Sequence, residues 1–171
     1  MSRHPQKKHR YKQGKQSAVD KFDRSELTEA DKQLLTDFAA RRALYEAYLA
    51  ASNIVLDLHC CVACGLPSLA ERGQYDICPI CLWEDSGMDD TMGHKIDISL
   101  RHAPNYISLL EARLHAGECL VDFQQQTGLQ LGENVASTIR KLQAFLEAWK
   151  KGEKKLNRVD FNENLKNILA L

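Results

Sequence analysis

No stretch of this chain approaches the ~18 consecutive apolar residues that a membrane span requires, so no segment is expected to enter a membrane. No Gly-rich phosphate loop, GxSxG elbow or HExxH pair occurs. The sequence marks of P-loop nucleotide sites, serine hydrolases and zinc proteases are therefore missing. Net charge is lacking too: 23 Lys+Arg balance 23 Asp+Glu. Overall charge thus argues for no particular partner. The basic N-terminus MSRHPQKKHRYKQGKQ is not followed by the apolar stretch of a secretory signal. The expected location is the cytoplasm, where thiols stay reduced and disulfides are rare. At 171 residues the chain has material for one real core, so a metal would be a local staple.

What is present is unevenly distributed. Residues 1–24 hold eight Lys/Arg against two Asp, without apolar periodicity. They read as a basic, disordered tail, with contact to phosphates as the sharper alternative. Residues 61–100 hold only Arg72 and Lys95 against seven acids. A helix is expected to start near Thr28, because Thr28 and Asp31 have capping-box spacing. Leu34, Leu35, Phe38, Tyr45, Tyr48 and Leu49 then mark one face of a long amphipathic helix over 25–53, with Arg41, Arg42 and Glu46 off that face. Residues 54–58 and 96–100 read as short strands. From 104 to 171 the pattern is helical: one helix from Pro104 that Gly117 is expected to kink, one over Glu133–Lys151 stopped by Gly152, and a short one from Asp160.

Between them lies HCCVACGLPSLAERGQYDICPICLWEDSG (His59–Gly87), with five of the six cysteines. Cys61-Val-Ala-Cys64 and Cys78-Pro-Ile-Cys81 are two CxxC pairs separated by 13 residues. Two residues between thiols let both sulfurs of a tight turn face one point. Two such turns make the thiolate tetrahedron that Zn²⁺ takes in closed structural sites. Gly65 suits a positive φ, and Pro79 stiffens its turn. The intervening segment is expected to run out and back as a hairpin with Gly73 near its tip. Redox thiols and plain core cysteines are the alternatives, but a thioredoxin-like site needs one pair in a βαβ setting. The candidate ligands are Cys61, Cys64, Cys78 and Cys81, for one structural zinc. Cys60 and Cys119 are read as bystanders. WEDSGMDD (Trp83–Asp90) reads first as a solvated loop and second as an acidic docking surface. Trp83 is expected to pack under the knuckle. His94, His102 and His115 stand near no obvious nucleophile, and no catalytic activity is expected.

These residues resemble the cysteine-rich CPCC family of small bacterial proteins. Cys61, Cys64 and Gly65 match its first knuckle. Glu71, Arg72, Gly73, Tyr75, Ile77, Cys78, Pro79, Cys81, Trp83, Glu84 and Asp85 match its second part. The family's Pro and middle Cys are Val62 and Ala63 here, which leaves no spare thiol between Cys61 and Cys64. Ser99–Tyr106 is loosely similar to the helix that follows. The resemblance implies a zinc-ribbon-like module, in proteins that accompany bacterial toxin or secretion systems as immunity or accessory proteins. The expected architecture is α+β: a small four-cysteine zinc ribbon over 54–103 packed with three to four α-helices. The expected function is binding of a protein partner, a toxin or effector, with nucleic-acid binding through residues 1–24 as the alternative.

Overall fold

The computed structural model describes residues 27–51, 58–90, 93, 105–154 and 160–169. The expected tail, the strand over 96–100, Pro104, His94, His102 and, but for Leu58, the strand over 54–58 lie outside the described residues. The fold is α+β. Four helices and one small antiparallel sheet occur among the described residues: α1 (Glu29–Ala51), β1 (His59–Cys60), β2 (Pro67–Leu69), α2 (Leu109–Thr127), α3 (Val135–Lys150) and α4 (Phe161–Leu169).

The helix ends follow the local chemistry. At α1 the Thr28 N–H donates to Asp31 Oδ2 and the Asp31 N–H donates to Thr28 Oγ1, at 3.0 and 3.1 Å. That reciprocal pair satisfies donors that the first helical turn leaves over. Ser108 caps α2 by accepting from the Glu111 N–H, and Gly128 closes it in the left-handed region at φ 70°. Asp160 Oδ1 accepts from the Glu163 N–H and so caps α4.

The expected kink at Gly117 is not found, since α2 runs unbroken from Leu109 to Thr127. The missing side chain serves packing instead. A Cβ at position 117 would stand 3.3 Å from Leu34 Cδ2 and 3.4 Å from Leu34 Cβ, so the glycine is what lets α1 lie close on α2. Gly117→Val is expected to destabilise the protein by about 2 kcal/mol through overpacking. A urea melt checks this, and an unchanged midpoint would show that the α1–α2 contact adjusts freely.

One core serves both halves of the chain. Cys61, Val62, Cys64, Leu66, Leu69, Cys78, Ile80 and Trp83 are buried in the same apolar cluster as Leu109, Phe123, Ile139, Leu142, Leu165 and Leu169. Tyr45 ties α1 to it: its ring is fully buried, and its hydroxyl donates to the Leu131 carbonyl at 2.9 Å. Tyr48, expected on the same face, is 41 % exposed. Leu34, Leu110 and Leu114 form a second, smaller cluster between α1 and α2.

Candidate metal centre

Each CxxC pair sits on a turn with the same two backbone hydrogen bonds. The Cys61 N–H donates to the Leu66 carbonyl and the Gly65 N–H to the Cys61 carbonyl, at 2.9 and 2.8 Å. In the second turn the Cys78 N–H donates to the Trp83 carbonyl and the Leu82 N–H to the Cys78 carbonyl, both at 2.9 Å. The spacings are identical, so the two knuckles are the same device used twice. Both need a left-handed residue after the second cysteine: Gly65 has φ 79° and Leu82 φ 62°. The glycine adopts this freely, whereas the leucine does so at a cost of about 1 kcal/mol.

The short strands grow from these turns. Here the structure departs from the hairpin expected over the intervening segment. β1 pairs with β2 across the first knuckle, and Ile77 bridges Glu84 across the second. Each knuckle is thus the tip of its own small hairpin. Gly73, at φ 70°, belongs to the link between them, with a Cβ there only 3.6 Å from Gly87 Cα.

The two tips bring four sulfurs together. The Sγ atoms of Cys61, Cys64, Cys78 and Cys81 lie within 4.8 Å of one another. Cys61 and Cys81 are 3.6 Å apart, and Cys64 and Cys78 are 3.8 Å apart. Disulfide bonds are excluded, because bonded sulfurs stand about 2.0 Å apart. A tetrahedron around zinc, with Zn–S near 2.3 Å, has edges of about 3.8 Å. The donor set therefore fits one structural zinc ion, held by these four residues. With four thiolates engaged, no coordination position is left for water or substrate.

Neighbouring donors address the sulfurs. Ser68 Oγ lies 2.9 Å from Cys78 Sγ, and the Ala63 N–H donates to Cys61 Sγ at 3.4 Å. Burial pushes the Cys64 and Cys81 thiols up. Cys78 goes the other way: against the same burial, hydrogen bonds from Cys61, Cys64, Cys81 and Ser68 bring it down. Cys60 stands apart from the four, as a buried thiol pushed up to about 12, chiefly by burial, that donates to the Arg42 carbonyl over 4.0 Å. Cys119 is half-buried on α2, with its Sγ 3.8 Å from His115 Nε2. Trp83 is buried in the shared core, as expected of it.

The acidic run beside the second knuckle is not the solvated loop expected from sequence. Asp85 is fully buried; its carboxylate accepts from Arg72 Nε at 2.8 Å and from the N–H groups of Gly73 and Gly87 at 2.8 and 3.2 Å. Asp89 takes a two-pronged pair from Arg42 at 2.8 and 2.9 Å and a further bond from Arg113 at 3.2 Å. Arg113 also reaches Asp90 at 2.6 Å. Three arginines thus pair with Asp85, Asp89 and Asp90, of which Asp85 is buried and Asp90 stays exposed. The residues missed were Arg42, Arg72 and Arg113, spread over three segments. Only their coming together in the fold reveals the network. Asn105 was also missed: fully buried, it clasps the Glu84 backbone through both its amide oxygen and nitrogen, each at 2.9 Å.

The Arg42 guanidinium, hydrogen-bonded to Asp89, holds that carboxyl well below the usual carboxylate range. A carboxyl depressed in the folded state adds stability above its ordinary value, near about 4, and loses it as pH falls toward the folded value. Asp89→Asn is accordingly expected to flatten the acid limb of the stability–pH curve. Urea melts at stepped pH test this. Parallel acid limbs for the two proteins would remove Asp89 as a source.

The fold and site together define a small tetrathiolate module of the zinc-ribbon kind, built on two matched knuckles. The family model described as Cysteine-rich CPCC matches residues 59–127, so this segment of the chain is similar to that family. Helix α1 and the chain beyond residue 127 lie outside the match. No curated protein and no solved structure matches the chain.

Proposed function

We propose that this is a non-enzymatic, zinc-stabilised protein-binding module. The observation that carries this reading is the closed set of four thiols, which gives the ion a structural task and no open position for chemistry. The adjoining acids point the same way, because Asp85 and Asp89 are spent on arginines rather than offered to a substrate or second ion. Recognition then falls to the helices. Leu44 and Val121 are among the exposed large apolar side chains and flank a groove of about 270 Å³ between α1 and α2 that Ala40, Leu131 and Gly132 also line. A toxin or effector, with this chain as its immunity or accessory protein, is the partner suggested by the family resemblance. The internal pairing of Asp85, Asp89 and Asp90 takes away the argument for a purely acidic inhibitor surface.

The test is affinity capture from a nuclease-treated lysate of the native cells, with wild type and a Leu44→Asp/Val121→Asp double variant side by side. A stoichiometric protein held by wild type and lost by the variant supports the reading. Material captured only when the nuclease is left out overturns it in favour of the alternative, nucleic acid held by the eight Lys/Arg of residues 1–24.

A further inference from the structure

Four thiolates around a divalent zinc ion carry a net charge of −2, and this centre lies in the buried core. Such a charge needs compensation, because a low-dielectric surrounding penalises it. Within the described part of the cysteine module the only guanidinium is Arg72, and it is committed to the Asp85 carboxylate at 2.8 Å. The helices supply two further guanidinia, of which Arg113 is itself paired with Asp89 and Asp90. Arg41 of α1 donates from Nε to the Cys64 carbonyl at 2.8 Å. Arg113 of α2 donates from Nε to the Val62 carbonyl at 2.7 Å. Both carbonyls belong to the first knuckle, whose cysteines are ligands. Between the two guanidinia sits Phe38, whose ring lies 4.3 Å from the Arg113 guanidinium carbon and 5.9 Å from that of Arg41. The same ring closes on Gly65, where a Cβ would stand 3.3 Å from it.

We propose that Arg41 and Arg113 are outer-sphere residues of the metal centre: both fix the first knuckle by its carbonyls, and Arg41, which is in no carboxylate salt bridge among the described residues, also offsets the negative charge of the thiolates. Arg113 lies within the segment that matches the family and Arg41 outside it. Helix α1, an addition to the matched module, therefore takes part in holding the metal rather than merely covering the core. The two are positioning residues and do not touch the ion. Loss of such supporting groups in metal proteins weakens the metal by about 10- to 100-fold.

The proposal rests on the zinc reading, and the experiment separates the two. Arg41 is the residue to change, because Arg113 also holds Asp89 and Asp90. Zn²⁺ affinity is measured on the full chain by competition with a chromophoric chelator, for wild type, Arg41→Met, Arg41→Lys and Leu34→Ala. Leu34→Ala loosens the same α1–α2 contact without touching the knuckle, and so reports what loss of helix docking alone does. Arg41→Met is expected to weaken Zn²⁺ binding by about tenfold more than Leu34→Ala does. Arg41→Lys, which keeps the charge, is expected to recover part of that and stands in should the methionine variant not fold. Equal losses in Arg41→Met and Leu34→Ala, or an affinity for Arg41→Met within about twofold of wild type, overturn the proposal. Wild type that takes up no Zn²⁺ overturns the metal reading itself, and the proposal with it.

Discussion

Cys78→Ser is expected to strip the chain of zinc and to unfold the cysteine module. Cys78 is fully buried, its sulfur is 3.8 Å from that of Cys64, and it takes the contact from Ser68. A serine keeps the size but supplies a harder, far less acidic donor, and three thiolates then face an ion built for four. Structural zinc is worth about 10–16 kcal/mol in small zinc-dependent folds, so losing most of it should cost at least about 4 kcal/mol here. Zinc per chain after gel filtration should fall from one to well below half, and the melting temperature with it. Chelator added to wild type should reproduce the second effect. Cys60→Ser and Cys119→Ser should both keep their zinc, because neither sulfur belongs to the group of four. Zinc loss in Cys60→Ser equal to that in Cys78→Ser would mean that the ligand set is wrong.

Asp85→Ala is the second large effect, and it needs no change to a metal ligand. The carboxylate is fully buried and satisfies Arg72 and the N–H groups of Gly73 and Gly87. Alanine leaves two backbone donors and a partly buried guanidinium without their acceptor. Breaking a buried pair from one side costs about 3–5 kcal/mol, much more than the net worth of the pair. Asp85→Asn should fall between, since its amide oxygen can still accept from one N–H but cannot balance Arg72. Urea denaturation at saturating Zn²⁺ measures both. An Asp85→Ala protein within about 1 kcal/mol of wild type would show that the link between the knuckles relaxes and rehydrates at little cost.

The parts of this molecule that sequence displays are those in which the chemistry is local. A CxxC pair names its own turn, and Thr28 with Asp31 names its own helix start. The α+β class and four helices followed from spacing of this kind, although the helix expected from Pro104 begins only at Leu109, behind its Ser108 cap. What sequence did not display depends on distance in the chain. Arg42 meets Asp89 across 47 positions, and Arg113 meets Val62 across 51. A list of charges by segment therefore made the 61–100 region look acidic and open, when Asp85, Asp89 and Asp90 are paired with arginines. Gly117 misled for a related reason: in isolation a helical glycine is a weak point, and only the approach of Leu34 turns it into a contact. The hairpin was misplaced because period-two alternation is too short-lived in strands of two and three residues to mark them.

The identity of the two knuckles bears on how the metal enters. Each turn closes with two backbone hydrogen bonds inside six residues, so each can form by itself as a two-toothed chelate in an otherwise open chain. An ion caught by either half then waits for the other to arrive. The 13 residues between Cys64 and Cys78 make that closure cost only about 2 kcal/mol of chain entropy. Capture and closure become separate kinetic events, which cobalt uptake followed by stopped flow should resolve as two phases; a single phase would put both halves together before the ion. In this order of events the ion is less a rivet added to a finished fold than the template on which the middle of the chain assembles.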